Sequence, residues 1–161
     1  MTEEPIKPEE RYAIEGILPH NVPFAWHFVW PFLEPSINTI DLLDRPYPQD
    51  IIDSLMSGER QLWVAWDRVT KRATGCVITE LNRWPEEGRS DRVCHIWAAG
   101  GRGFREYVRH GMATLRAWAA AQGCAMIIHG GRRGWQRIAD TSLIGNNSGG
   151  FPMYGVPVSV H

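Results

Sequence analysis

The chain has no apolar run approaching the ~18–20 residues that a membrane helix needs, so no membrane association is expected. Its first ten residues, MTEEPIKPEE, are acidic and carry no hydrophobic stretch, which argues against an ordinary secretory signal. Cysteine is scarce. Cys76, Cys94 and Cys124 show no CxxC spacing, and an odd number excludes a complete set of intrachain disulfides. Each sits inside a strand-like run, as small buried thiols do in a reducing compartment, so a cytoplasmic protein is expected. The histidines lack HxxxH or His/Cys spacing, and no metal site is expected. A GxSxG elbow, a P-loop and an internal repeat are also missing.

What is present is an ordinary globular composition, 43% hydrophobic and 22% charged, which places the chain among folded rather than disordered sequences. At 161 residues it is most simply one domain, 1–161, long enough to bury a core. The near-neutral net charge hides an asymmetry. Residues 1–60 carry 11 acidic and 4 basic side chains, and residues 61–161 carry 7 acidic and 13 basic ones. A basic second half suits a polyanion such as a nucleotide cofactor; it is equally the charge of a solvated arginine-rich surface.

Residues 1–20 read as a polar, proline-marked lead-in, with "YAIEG" (Tyr12–Gly16) the one candidate strand in it. "FAWHFVWPFLEP" (Phe24–Pro35) is dense in aromatics, and Pro31 predicts a kinked or broken helix. In "YPQDIIDSLMSG", Pro48 suits a first helical turn, Ile51, Ile52, Leu55 and Met56 share a face, and Gly58 is a natural stop. "QLWVAWD" and "TGCVITEL" then read as strands joined by a hairpin connection. The polar loop "NRWPEEGRSD" leads to a third strand, "RVCHIWAA" (Arg92–Ala99).

Gly100-Gly101-Arg102-Gly103 turns that strand into a helix whose apolar residues Phe104, Tyr107, Val108, Met112, Leu115, Trp118 and Ala119 recur at helical spacing. Gly123 caps it and "CAMIIHGG" follows as a buried strand, completing a right-handed parallel β-α-β crossover. A short helix, "RGWQRIAD" (133–140), a loop, "GNNSGG", and a last strand near "YGVPVSVH" close the chain. Pro157 predicts that this last strand is an edge or irregular. The fold class is α+β: a mixed, mostly antiparallel sheet with a central β-α-β crossover and helices on both faces.

A glycine turn opening a helix offers backbone N–H groups at the positive end of a helix dipole, a cradle for phosphate. Arg102 and Arg105 add charge. The dinucleotide fingerprint GxGxxG fails, because Glu106 stands at the third glycine position.

With its order of strands, glycine turn and long helix, the chain resembles the GNAT superfamily of N-acetyltransferases, and most of all the short GNAT-like proteins encoded by bacteriophages and prophages. The residues carrying the resemblance are "QLWVAWD", Gly75 with "VITEL" after it, "RAWAAAQGC" (Arg116–Cys124) and "GGRRGWQRIA" (Gly130–Ala139), a recognisable core over 61–139. The resemblance implies that the strands flanking the central helix splay apart and that acetyl-CoA wedges between them. Its pantetheine arm would then pair with the backbone of His95–Ala99, through Trp97, Ala98 and Ala99. Its pyrophosphate would rest on Gly100, Gly101, Arg102, Gly103 and Phe104. Two positions depart from the family pattern: Ala98 stands where Gln or Arg is common, and Trp135 where many members place an acid tyrosine.

Acetyl transfer to an amine needs a base and an oxyanion donor, and often an acid for the thiolate. The candidate bases are Glu80, at the end of its strand, and His95, which titrates in the right range. An N–H near Trp97 or Ala98 is the candidate oxyanion donor, and Tyr154 the replacement acid. The acceptor is expected to be a small-molecule or protein amine. Eight tryptophans also raise the expectation of a protein partner on a Trp-rich surface, and of a non-catalytic binding or structural role. Trp63 and Trp66, three apart in a strand, should point to opposite faces. Near-neutral charge and the lack of a recognised motif argue against a nucleic-acid partner.

Overall fold

The computed structural model describes residues 4–83, 91–130, 139, 141–146 and 152–159. Its centre is one seven-stranded sheet in the order β1-β2-β3-β4-β5-β7-β6. The strands are β1 Tyr12–Ile17, β2 Arg60–Asp67, β3 Arg72–Arg83, β4 Arg92–Gly101, β5 Cys124–His129, β6 Ser142–Asn146 and β7 Pro152–Pro157. Every pairing is antiparallel except β4 with β5, which the helix between them makes parallel. The α+β architecture expected from the pattern is the one observed. The expected 133–140 helix lies outside the described residues, apart from Ala139.

The N-terminal lead-in is part of the sheet. A helical turn, α1 (Pro8–Arg11), delivers Tyr12 into β1, which pairs with β2 along its whole length. Arg11 holds it there: its guanidinium donates two hydrogen bonds, of 3.2 and 2.9 Å, to the buried carboxylate of Asp67, the last residue of β2. Asp67 also accepts from the Val69 N–H at 2.9 Å.

The second helix, α2 (Val22–Ile37), is continuous through Pro31 and Pro35. Pro31 cannot donate to the His27 carbonyl, yet both residues lie on the exposed side, where water can take that bond. The buried stripe Val22, Ala25, Val29, Leu33 and Ile37 runs unbroken beneath, packed on Leu62, Val64, Cys76 and Ile78 of the sheet. Burial of that stripe outweighs the proline cost, so the expected break does not form.

α3 (Pro48–Ser57) begins at Pro48, with an Asp50 carboxylate accepting from the Tyr47 N–H at 3.1 Å, and ends at Gly58 in a left-handed conformation, φ 86°. A Cβ at Gly58 would meet nothing within 4 Å, so its cost is conformational alone. Gly58→Ala is expected to lower stability by about 1 kcal/mol in urea denaturation.

The other face of the sheet carries α4 (Phe104–Ala121), whose Met112, Leu115 and Ala119 pack with Trp63, Cys94 and Ile127. Trp63 and Trp66 do point to opposite faces: Trp63 is buried under α4 and Trp66 is 37% exposed. Among the described tryptophans, Trp66 is the exposed one, while Trp26 and Trp30 stack at 5.3 Å and are half-buried. The last strand is interior, not an edge. β7 lies between β5 and β6, and Pro157 is its final residue, where a missing N–H costs the ladder least.

Candidate active site

Sheet register creates the site. β5 pairs with β4 from Arg92 to Ile96, whose partner is His129, and there the pairing stops. β4 continues to Gly101, so among the described residues its last ones are paired on the β3 side alone. On the other side, β3 pairs Ile78 with Ala98 but Thr79 with Ile96, which leaves Trp97 as an extra residue. Trp97 is thus the one residue of β4 with no paired residue on either side among the described strands.

A cavity of about 740 Å³ fills the divergence. β4 supplies its floor, from His95 to Gly101. One wall comes from α4, with Phe104, Tyr107, Val108 and Met112, and the opposite wall from Phe32, Pro35 and Ile37 of α2 with the Thr39–Ile40 segment. The cavity therefore passes through the sheet from one helical layer to the other.

At one end, the glycine corner brings β4 into α4. Gly103 is the helix N-cap in a left-handed conformation, φ 64°, and no side chain caps the first turn. Its flanking arginines, Arg102 and Arg105, are exposed. The Arg102 N–H, however, donates to the Thr74 carbonyl at 2.7 Å. The Arg102 amide is therefore taken up within the chain. Gly100 has a different reason to be glycine: a Cβ there would overlap the Phe32 carbonyl, because α2 lies directly on the strand.

On the α2 face, two of the residues singled out as bases are cross-strand partners. Glu80 stands opposite His95 in the β3–β4 register, and their side chains meet at 2.9 Å through His95 Nδ1 and Glu80 Oε1. Glu80 also accepts from Asn82 Nδ2 at 3.0 Å and Arg60 Nε at 3.1 Å. These donors, His95 first, hold the Glu80 carboxyl down at about 2 against the opposing effect of burial. An ionised carboxylate only accepts, so His95 carries a proton on Nδ1. Arg60 in turn lies 3.9 Å over the Trp97 ring. The Glu80 carboxylate thus accepts from three donors, with the His95 ring held against it.

Tyr154 is placed otherwise than expected. It is 4% exposed, stacked on the His129 ring at 5.5 Å, and is not among the residues lining the cavity. His129, which the sequence did not single out, does line it. Its Nδ1 faces the Gly130 carbonyl at 2.8 Å and must donate; Nε2 then accepts from Thr141 Oγ1, also at 2.8 Å. Burial pushes the His129 pKa down, which keeps the ring neutral. Tyr107 is the phenol at the α4 wall, donating to the Thr74 carbonyl at 3.2 Å, and burial raises its pKa to about 12.

Two carboxylates in the sheet are depressed by partners, Asp67 to about 2 by Arg11 and Glu80 to about 2 by His95. Both sit at their ordinary values of 3.8 and 4.5 once the chain unfolds. Their contribution to stability is therefore complete above pH 4.5 and is lost as pH falls toward 2. Urea midpoints measured down this range should fall steadily, and Asp67→Asn should flatten the slope while lowering the plateau.

No protein-family model and no curated protein matches the chain by sequence. Solved structures do match it by fold. It is similar to the GNAT-family N-acetyltransferase YhbS of Escherichia coli, solved in complex with CoA, with TM-score 0.63 and 14% identity over 99% of this chain and 86% of that one. An agmatine N-acetyltransferase in its apo form is similar with TM-score 0.64 and 10% identity, over 91% of this chain and 99% of that one. An aminoglycoside acetyltransferase from an uncultured soil metagenomic sample gives 0.58 and 9%, over 83% and 86%. The chain has the fold of the GNAT N-acetyltransferases.

Proposed function

We propose that this protein is an N-acyltransferase that moves an acetyl group from acetyl-CoA to a primary amine. The observation that carries the reading is the early end of β4–β5 pairing at Ile96 and His129, which opens a cavity against a helix N-terminus. The unpaired edge over Trp97, Ala98 and Ala99 suits an amide-bearing pantetheine arm. The corner from Gly100 to Phe104 suits the pyrophosphate, with donors from Gly103 onward and charge from the Arg102 side chain. The similar structure solved with CoA supports the same assignment. Buried, free Cys76, Cys94 and Cys124 agree with a reducing, cytoplasmic setting.

In this reading, His95 Nε2 is the base. The neutral amine attacks the thioester carbonyl, a C–N bond forms, and His95 takes the proton that the nitrogen sheds. Glu80 stabilises the resulting imidazolium. The N–H of Trp97, the extra residue of β4, receives the developing oxyanion. As the C–S bond breaks, His95 returns the proton to the departing sulfur, so the step balances without Tyr154.

Calorimetry with acetyl-CoA tests the cradle. Micromolar binding is expected, and Gly103→Glu, which sets bulk and negative charge at the corner, should abolish it in a protein whose circular dichroism is unchanged. Failure of the folded wild-type protein to bind would overturn the reading. One observation favours a second one. Tyr154 is buried and is not among the cavity's lining residues, and Tyr107, the phenol that does line it, donates to the Thr74 carbonyl, as fits a phage-type GNAT-fold protein kept for binding or structure rather than catalysis.

A further inference from the structure

We infer that the acceptor is a primary amine on an apolar or aromatic body with a single ionisable nitrogen, not a polycation. This rests on the acyl-transfer reading above and names its substrate class. The α2-side wall of the cavity is apolar, built from Phe32, Pro35, Ile37, Ile40 and Trp97. Among the described residues, no Asp, Glu, Lys or Arg lines the cavity.

Two groups beside this wall are of the kind that hold ammonium ions, and both are committed. The Glu80 carboxylate already receives three donors, from His95, Arg60 and Asn82. The Trp97 ring already carries the Arg60 guanidinium at 3.9 Å. A second ammonium on the acceptor would shed its water here without a carboxylate to replace it. An apolar amine has one nitrogen to deprotonate, and its body covers the wall that water would otherwise wet. Ser36 and Thr39 supply the polar contacts at the cavity's α2 side.

Acetylation by the purified full chain should be followed with acetyl-CoA and a panel of amines. Phenylethylamine and tryptamine represent the apolar class; spermidine, agmatine and kanamycin represent the polycations. The expected result is kcat/KM for phenylethylamine ~10-fold or more above that for spermidine, the ratio that ~1.4 kcal/mol of differential binding gives. Thr39→Asp, which adds a carboxylate at an exposed position of the wall, should narrow that ratio. Equal or greater use of the polycations overturns the acceptor assignment. So does a protein that binds acetyl-CoA by calorimetry yet acylates neither aromatic amine, and acyl transfer itself would then still stand. Failure to bind acetyl-CoA would overturn both.

Discussion

His95→Gln will lower kcat by about 10²–10⁴-fold, the contribution of a positioned general base, while acetyl-CoA still binds. The separation follows from where the groups lie. His95 is on the α2 face of β4, whereas the corner proposed to take the pyrophosphate is at the start of α4. Glutamine keeps a donor for Glu80 but offers no basic nitrogen to the amine. The acidic limb of the kcat profile should vanish with the imidazole. Glu80→Gln should act more mildly, lowering kcat and shifting that limb to lower pH, because the imidazolium loses its anionic partner. Glu80→Asp should restore part of the limb, which a purely structural role would not do. Unchanged kcat in His95→Gln would place the base elsewhere.

Gly100→Ala is expected to be the most damaging single methyl in the protein, at about 3 kcal/mol or more. The added Cβ would overlap the Phe32 carbonyl, a backbone atom within α2 that cannot step aside alone. Either α2 lifts from the sheet or β4 bends, and each disturbs Phe32 and the cavity floor together. Gly103→Ala, three residues on, separates close packing from conformation. It meets nothing within 4 Å and pays only for φ 64°, about 1 kcal/mol. Urea titrations of the two variants should differ by ~2 kcal/mol, the difference between those two costs. Equal losses would mean that α2 yields readily, and that the close approach at Gly100 is not a constraint.

Much of the fold was legible because local signals agreed with tertiary ones. Pro48 and Gly58 bound α3, Gly103 and Phe104 open α4, and the apolar stripe from Phe104 to Ala119 names its buried face. Pro31 misled because propensity is local, while the bond it removes belongs to an exposed carbonyl and the buried stripe beneath it is unbroken. Pro157 misled for a related reason: a strand end, unlike a strand centre, has little ladder to lose.

The site was legible as a corner but not as a geometry. Glu80 and His95 could each be singled out, whereas their direct opposition depends on a register that no local pattern encodes. The extra residue at Trp97 is equally silent, since a bulge leaves "HIWAA" looking like any apolar strand. His129 was overlooked because only the end of the β4–β5 pairing makes it a cavity residue. One available signal was its position as the polar end of the apolar run "AMII".

The three buried thiols make the native protein quiet toward thiol reagents. Cys76 and Cys94 are pushed up to about 12 by burial, and Cys124 is also raised, so almost none of the reactive thiolate exists at neutral pH. A chromogenic disulfide can therefore count each CoA that the proposed reaction would release against a flat baseline. Left without substrate, the same dye becomes a clock for global opening: the slow appearance of protein thiols would time how often the sheet comes apart.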